Sequence, residues 1–156
     1  MSSDKRFRNE AAAASLAAIL ARHGDRQDAL LPLLHDIQDA FAHIPPEAVP
    51  LLASKLNLSR AEVHGVITYY HHFRQTPPGR HVLRVCRAEA CQAVGGESLA
   101  AHAEARLKGG DLTLEAVYCL GLCAIGPALQ VDEMTLHGHM TPDKFDALAT
   151  ALEAQP

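Results

Sequence analysis

The chain holds four cysteines in two tight pairs, Cys86 and Cys91 in VCRAEAC and Cys119 and Cys123 in CLGLCAIGP, spaced C-x4-C-x27-C-x3-C. Thiolates are soft, polarisable ligands and strong nucleophiles, so such pairs point to metal binding or to thiol-disulfide chemistry. A disulfide redox site would want C-x2-C, and the sequence has none. The opening MSSDKRFRNE has charge without an apolar signal core. A cytoplasmic chain with reduced cysteines is therefore expected, which places metal ahead of structural disulfides. No later run approaches the roughly 18 uninterrupted apolar residues of a membrane span, so no membrane insertion is expected.

The spacing bears on which metal. Structural zinc prefers C-x2-C knuckles, although wider spacings occur, and it usually nucleates domains too small to hold a core. Iron-sulfur clusters suit cysteines on glycine-containing loops, where peptide N–H groups turn inward to the sulfur atoms. CQAVGG and LGLCAIG are of that composition. Two pairs, one per iron, suit a [2Fe-2S] centre, whereas a [4Fe-4S] cluster would more often group three cysteines closely. Spacing therefore favours iron-sulfur and leaves a zinc module with four cysteine ligands open, with four ordinary core cysteines the third possibility. The histidines draw no metal assignment. His71 and His72 stand together at a helix end, where such residues are solvated or cap carbonyls, and His137 and His139 alternate on a strand without a third ligand. Tyr69, Tyr70 and Phe73 read as core or interface packing.

Both pairs must be positioned by something, and the periodicity says what. From Asn9 to Arg74 apolar residues recur every three or four positions. NEAAAASLAAILARHG offers Ala12, Leu16, Ile19 and Leu20, with Gly24 as a stop; DALLPLLHDIQDAFAHIPP offers Leu30, Leu34, Ile37 and Phe41, with Pro32 in its first turn. PEAVPLLASKLN opens at a proline, and SRAEVHGVITYYHHF carries Ser59 and Glu62 as a capping box ahead of Val63, Val66, Ile67 and Tyr70. Four short helices in a small bundle are expected over residues 1–76. TPPGR, Thr76 to Arg80, stops the helical pattern. Beyond it HVLRV and TLEAVY alternate as strands and deliver Cys86 and Cys119 near their ends, with the helix GESLAAHAEARLKGG between them. ALQVD and MTLHG form a hairpin pair, and TPDKFDALATALEA is a closing helix capped by Thr141 with Pro142 at its first position. The expected fold class is α+β: an N-terminal four-helix bundle followed, over residues 77–156, by a thioredoxin-like α/β domain of order β-α-β-β-β-α. In such a sheet the loops after the strands converge, which would bring the two pairs together.

Charge narrows the partners. Of 156 residues, 14 are Lys or Arg and 18 Asp or Glu, a net −4. Nine basic residues face eight acidic ones up to Arg80, and five face ten from His81 onward. No basic face is available to displace phosphate counterions, so nucleic acid is not expected as a partner.

The stretches IPPEAVPLLASKLNLSRAEVHGVITYYHHF, GRHVLRVCRAEAC and CLGLCAIGPALQVD together resemble the thioredoxin-like [2Fe-2S] subunit family. That family includes the 24 kDa subunit of NADH:quinone oxidoreductase and the gamma subunits of soluble NAD-dependent formate dehydrogenases and related hydrogenases. The likeness runs from about Leu30 to Leu152. It implies that Cys86, Cys91, Cys119 and Cys123 are the ligands of one [2Fe-2S] cluster and that the chain is no enzyme by itself. It also implies a partner subunit carrying FMN and the NAD site and, through it, a molybdenum-containing subunit that oxidises formate. Among the members, the 27-residue separation and CRAEACQAVGG look closest to the formate dehydrogenase gamma subunit. The equivalent subunits of NADH:quinone oxidoreductase and of NAD(P)-linked hydrogenase are the alternatives. The helical half is then the expected docking surface for the flavin subunit.

Overall fold

The structure, a computed structural model, describes residues 3–108 and 110–155, with the side chains of residues 3–11 outside the description. Gly109, at the expected end of the helix between the first two strands, lies outside the described residues. The chain divides into two compact units, Met1–Pro77 and Pro78–Pro156.

The first unit is helical: α1 Ser3–Arg22, a 3-10 turn at Gln27–Ala29, α2 Leu30–Phe41, α3 Ala48–Leu56 and α4 Arg60–Tyr69. Residues three and four apart share a helix face, so Leu16 and Ile19, Leu33, Leu34 and Ile37, Leu52 and Leu56, and Val63 and Ile67 meet in one core. Pro32 falls in the first turn of α2, where its missing N–H leaves no bond unmade. Ser59 accepts from the Glu62 N–H and Glu62 returns a carboxylate to the Ser59 N–H, which is the capping box that starts α4. Three details differ from the sequence expectation. α1 has 20 residues and is not short. It ends at Arg22, and Gly24 is not left-handed; Ala42 and Asn57 instead take that conformation after α2 and α3. α3 begins at Ala48, with Pro46 in the turn before it. Of the three aromatics near the end of α4, Phe73 is buried while Tyr69 and Tyr70 are exposed.

The second unit is built on a four-stranded sheet of order β2-β1-β3-β4, with β1 His81–Cys86, β2 Leu112–Val117, β3 Leu129–Val131 and β4 Thr135–His137. β1 and β2 are parallel, pairing His81 with Leu112 through to Cys86 with Val117. β3 runs antiparallel to β1, and β4 to β3. A parallel pair needs a crossover, and here it contains two helices, α5 Glu89–Ala93 and α6 Gly96–Arg106. The expected order lacks α5, because five residues are too few to show a helical period. α7 Pro142–Glu153 closes the unit, with the Thr141 hydroxyl accepting from the Lys144 N–H. Leu83, Val85, Leu99, Ala103, Leu129 and Phe145 form its core. Among the described residues no helix is long and apolar enough to cross a membrane.

Candidate metal centre

The parallel register decides where the cysteines go. Because Cys86 pairs with Val117, β1 and β2 end level, and the chain leaving each strand emerges at the same edge of the sheet. Cys86 is the last residue of β1 and Cys91 lies on α5, both buried. Cys119 follows β2 by two residues and Cys123 opens a 3-10 turn, Cys123–Ile125, both exposed. Cys86, Cys91, Ala128 and the flanking Val117, Leu120 and Leu122 make a small apolar cluster of their own.

The pairs are close within themselves and feel one another. The Cys119 and Cys123 sulfurs lie 3.8 Å apart. That is far beyond a disulfide bond, and it matches the roughly 3.8 Å edge of a tetrahedron with metal-sulfur bonds of about 2.3 Å. Cys86 and Cys91 are hydrogen-bonded through their thiols, and the charge on Cys86 raises the thiol pKa of Cys123 as well as that of Cys91. Among the described residues no three His, Cys, Asp or Glu side chains gather as a single-ion site; the donors come as two pairs.

The four sulfurs are not equivalent. Burial pushes the Cys86 thiol up, but the Ala88 N–H, the Cys91 thiol and the N–H groups of Cys119 and Leu120 outweigh it, so Cys86 ionises below an ordinary thiol. For Cys91 burial comes first and the Cys86 thiol adds to it, so its pKa is raised. Cys123 is raised chiefly by its bond and charge interaction with Cys119. The backbone is arranged to deliver those amides. Cys119 has φ 86°, a left-handed value that a side chain rarely adopts, and Gly121 follows at φ 76° with its N–H 3.4 Å from the Cys119 sulfur. Strain of this kind persists where the surroundings hold it, commonly at functional sites.

Glycines pack against the buried pair. A Cβ on Gly126 would stand 3.3 Å from the Cys91 sulfur, and one on Gly96 would stand 2.7 Å from the Cys91 carbonyl oxygen. Gly126, joined to Pro127 by a cis peptide, leads through Ala128 into β3. The CQAVGG stretch does not form the open loop expected of it: Cys91 to Ala93 are helical, and only Gly95 is left-handed, at φ 98°. Sequence reasoning also missed the amides of Ala88 and Leu120, for which no residue type is a signal. His137 ends β4, but His139 lies beyond the strand with φ 48°, so the two do not share a strand face. His71 and His72 are exposed after α4, and the His72 carbonyl accepts from Gln38 at 2.7 Å.

Residues 16–153 match the thioredoxin-like [2Fe-2S] ferredoxin family. The chain belongs to that family. Members hold one [2Fe-2S] cluster, and the soft, paired, amide-supported sulfurs described above fit such a group. The E 2 subunit of the NADH-quinone oxidoreductase of Rhizobium meliloti is 33% identical over 89% of this chain and 87% of its own. The E subunit of the same kind of complex in Pseudomonas aeruginosa is 31% identical over 97% and 93%. Among solved structures, a chain of an NAD+-reducing [NiFe]-hydrogenase superposes with a TM-score of 0.63 at 24% identity, over 82% of this chain and 22% of that one. That last likeness shows the fold alone. The closer likeness to a formate dehydrogenase gamma subunit expected from the sequence finds no support in these matches.

Proposed function

We propose that this chain is the iron-sulfur electron-transfer subunit of an NADH-linked oxidoreductase complex of the NADH-quinone oxidoreductase type, with Cys86, Cys91, Cys119 and Cys123 as the ligands of its cluster. The observation that supports the assignment is the level ending of two parallel strands, which brings Cys86 and Cys119 out at the same end of the sheet, each with its partner cysteine close behind it in sequence. A bound [2Fe-2S] cluster takes up and returns one electron at a time. The residues around it set the terms. Cys86 and Cys91 would hold one iron inside an apolar cluster that excludes water. Cys119 and Cys123 would hold the other at the surface, where an electron partner can approach. The amides of Ala88, Cys119 and Leu120 stabilise negative charge on the Cys86 sulfur.

The two relatives from NADH-quinone oxidoreductases support a partner that handles NADH; that this partner carries FMN, and that the chain lies beside it in the cytoplasm, are part of the proposal. In this reading residues 77–156 hold the cluster and the helical residues 1–76 dock the flavin subunit. The molybdenum-containing, formate-oxidising partner is not supported by the relatives above, and the quinone-reductase reading replaces it. The test is elemental and spectroscopic. Two irons and two sulfides per chain are expected, with a low-temperature resonance signal on reduction that is shifted or lost in Cys86→Ser, Cys91→Ser, Cys119→Ser and Cys123→Ser. One zinc and no colour would overturn the cluster, and four unchanged spectra would overturn the ligand set.

A further inference from the structure

Cys123 lies in no strand or α-helix; it opens the short turn Cys123–Ile125, which other segments must hold in place. A second segment, Gly138 to Met140 between β4 and α7, holds that turn. The His139 N–H donates to the Ile125 carbonyl at 2.6 Å, and the Met140 N–H donates to the Pro127 carbonyl at 3.0 Å. Two successive amides thus grip both sides of Gly126, the residue that backs onto the Cys91 sulfur. His139 reaches its position with φ 48°, and its own carbonyl accepts from the Lys144 ammonium of α7 at 2.8 Å. Gly138 lies flat against the turn. A Cβ there would stand 2.5 Å from Ile125 Cδ1 and 2.8 Å from the Ile125 carbonyl oxygen, closer than such atoms pack.

We propose that Gly138 and His139 form a latch that positions Cys123 for the cluster. Gly138 admits the Ile125 side chain against bare backbone, and the His139 amide fixes the carbonyl of Ile125, the residue whose own N–H closes the turn onto the Leu122 carbonyl. Neither residue touches the cluster; both act through the geometry of Cys123. The inference rests on Cys123 being a ligand.

The experiment uses the full, cluster-loaded chain and reads iron release to a chelator, the reduced resonance spectrum and the thermal midpoint. Gly138→Ala is expected to release iron about tenfold faster, at the lower end of what outer-shell changes do to metal affinity, and to shift the spectrum. Adding Ile125→Ala to it should recover part of both, because the clash is largely with that side chain. Ile125→Ala alone should fold, being partly exposed, and should loosen the turn with a smaller gain in release rate. A lower midpoint with unchanged release and spectrum in Gly138→Ala would overturn the latch, leaving the glycine a mere packing residue. If Gly138→Ala does not fold, wild-type release from Ile125→Ala overturns it equally. Cys123→Ser separates the two levels: an unaltered spectrum there removes the ligand assignment and the latch with it, whereas an altered one beside an unaltered Gly138→Ala removes the latch alone.

Discussion

At Cys86 three backbone amides converge on one sulfur, from Ala88, Cys119 and Leu120. Two of them come from the loop that carries the other cysteine pair, so the left-handed φ of Cys119 serves the partner strand's sulfur as well as its own. Amide bonds to a ligand sulfur withdraw charge and raise the cluster potential. Ala88 allows that contribution to be removed cleanly, because its φ of −76° already suits proline and its N–H has no other backbone acceptor in the turns and caps of the described residues. Ala88→Pro is expected to keep two irons per chain and to move the midpoint potential more negative in a redox titration followed by resonance. A potential equal to the wild type would mean that the amide does not reach the sulfur. The cysteine identities and their pairing were legible from spacing, because a side chain's chemistry is local. The amides were not, since Ala88 and Leu120 contribute only backbone, and backbone direction is set by the register of β1 against β2.

Elements were legible where the signal is short-range. Ser59 and Glu62 start α4, and Thr141 with Pro142 starts α7, because caps are completed within one turn of helix. They were illegible where a distant residue decides: Gly138 stays bare because Ile125 occupies the space a side chain would need. The contact of α1 with α2 is of the distant kind. Asp36 on α2 accepts from the His23 ring at 2.9 Å and lies 3.3 Å from the Arg22 guanidinium at the end of α1. The His23 bond, with Arg22 behind it, holds the Asp36 carboxyl below its ordinary value against some desolvation. A carboxyl depressed in the folded state binds its proton more readily in the unfolded state, so its contribution is present above the unfolded value of about 3.9 and fades as pH falls through the folded one. Asp36→Asn should therefore lower the thermal midpoint at pH 6, and the difference from the wild type should shrink as pH falls through the folded value. A difference that persists unchanged to low pH would show that the carboxylate charge is not what joins the helices.

At the scale of the molecule, the cores of the two units do not mix in sequence: Leu16 to Phe73 form that of the helical unit and Leu83 to Leu152 that of the sheet unit, within whose stretch lies the small cluster around Cys86 and Cys91. Each core is contributed by one side of the Pro77–Pro78 division. Packing defects should therefore stay on the side where they are made. Leu52 and Leu83 are both fully buried, one in each unit. Truncating either to alanine should cost about 2–5 kcal/mol, since a large-to-small change loses transfer free energy and leaves a cavity. The consequences for the cluster should differ. Leu83 stands three residues before Cys86 on β1 and pairs with Leu114 and Val131, so Leu83→Ala disturbs the strand that sets the level of both cysteine pairs. It is expected to lose iron faster to a chelator and to broaden the resonance signal. Leu52→Ala is expected to lower the midpoint of denaturant unfolding by a comparable amount while iron content and spectrum stay as in the wild type. A spectrum altered by Leu52→Ala would overturn the proposed assignment of the cluster to residues 77–156 alone.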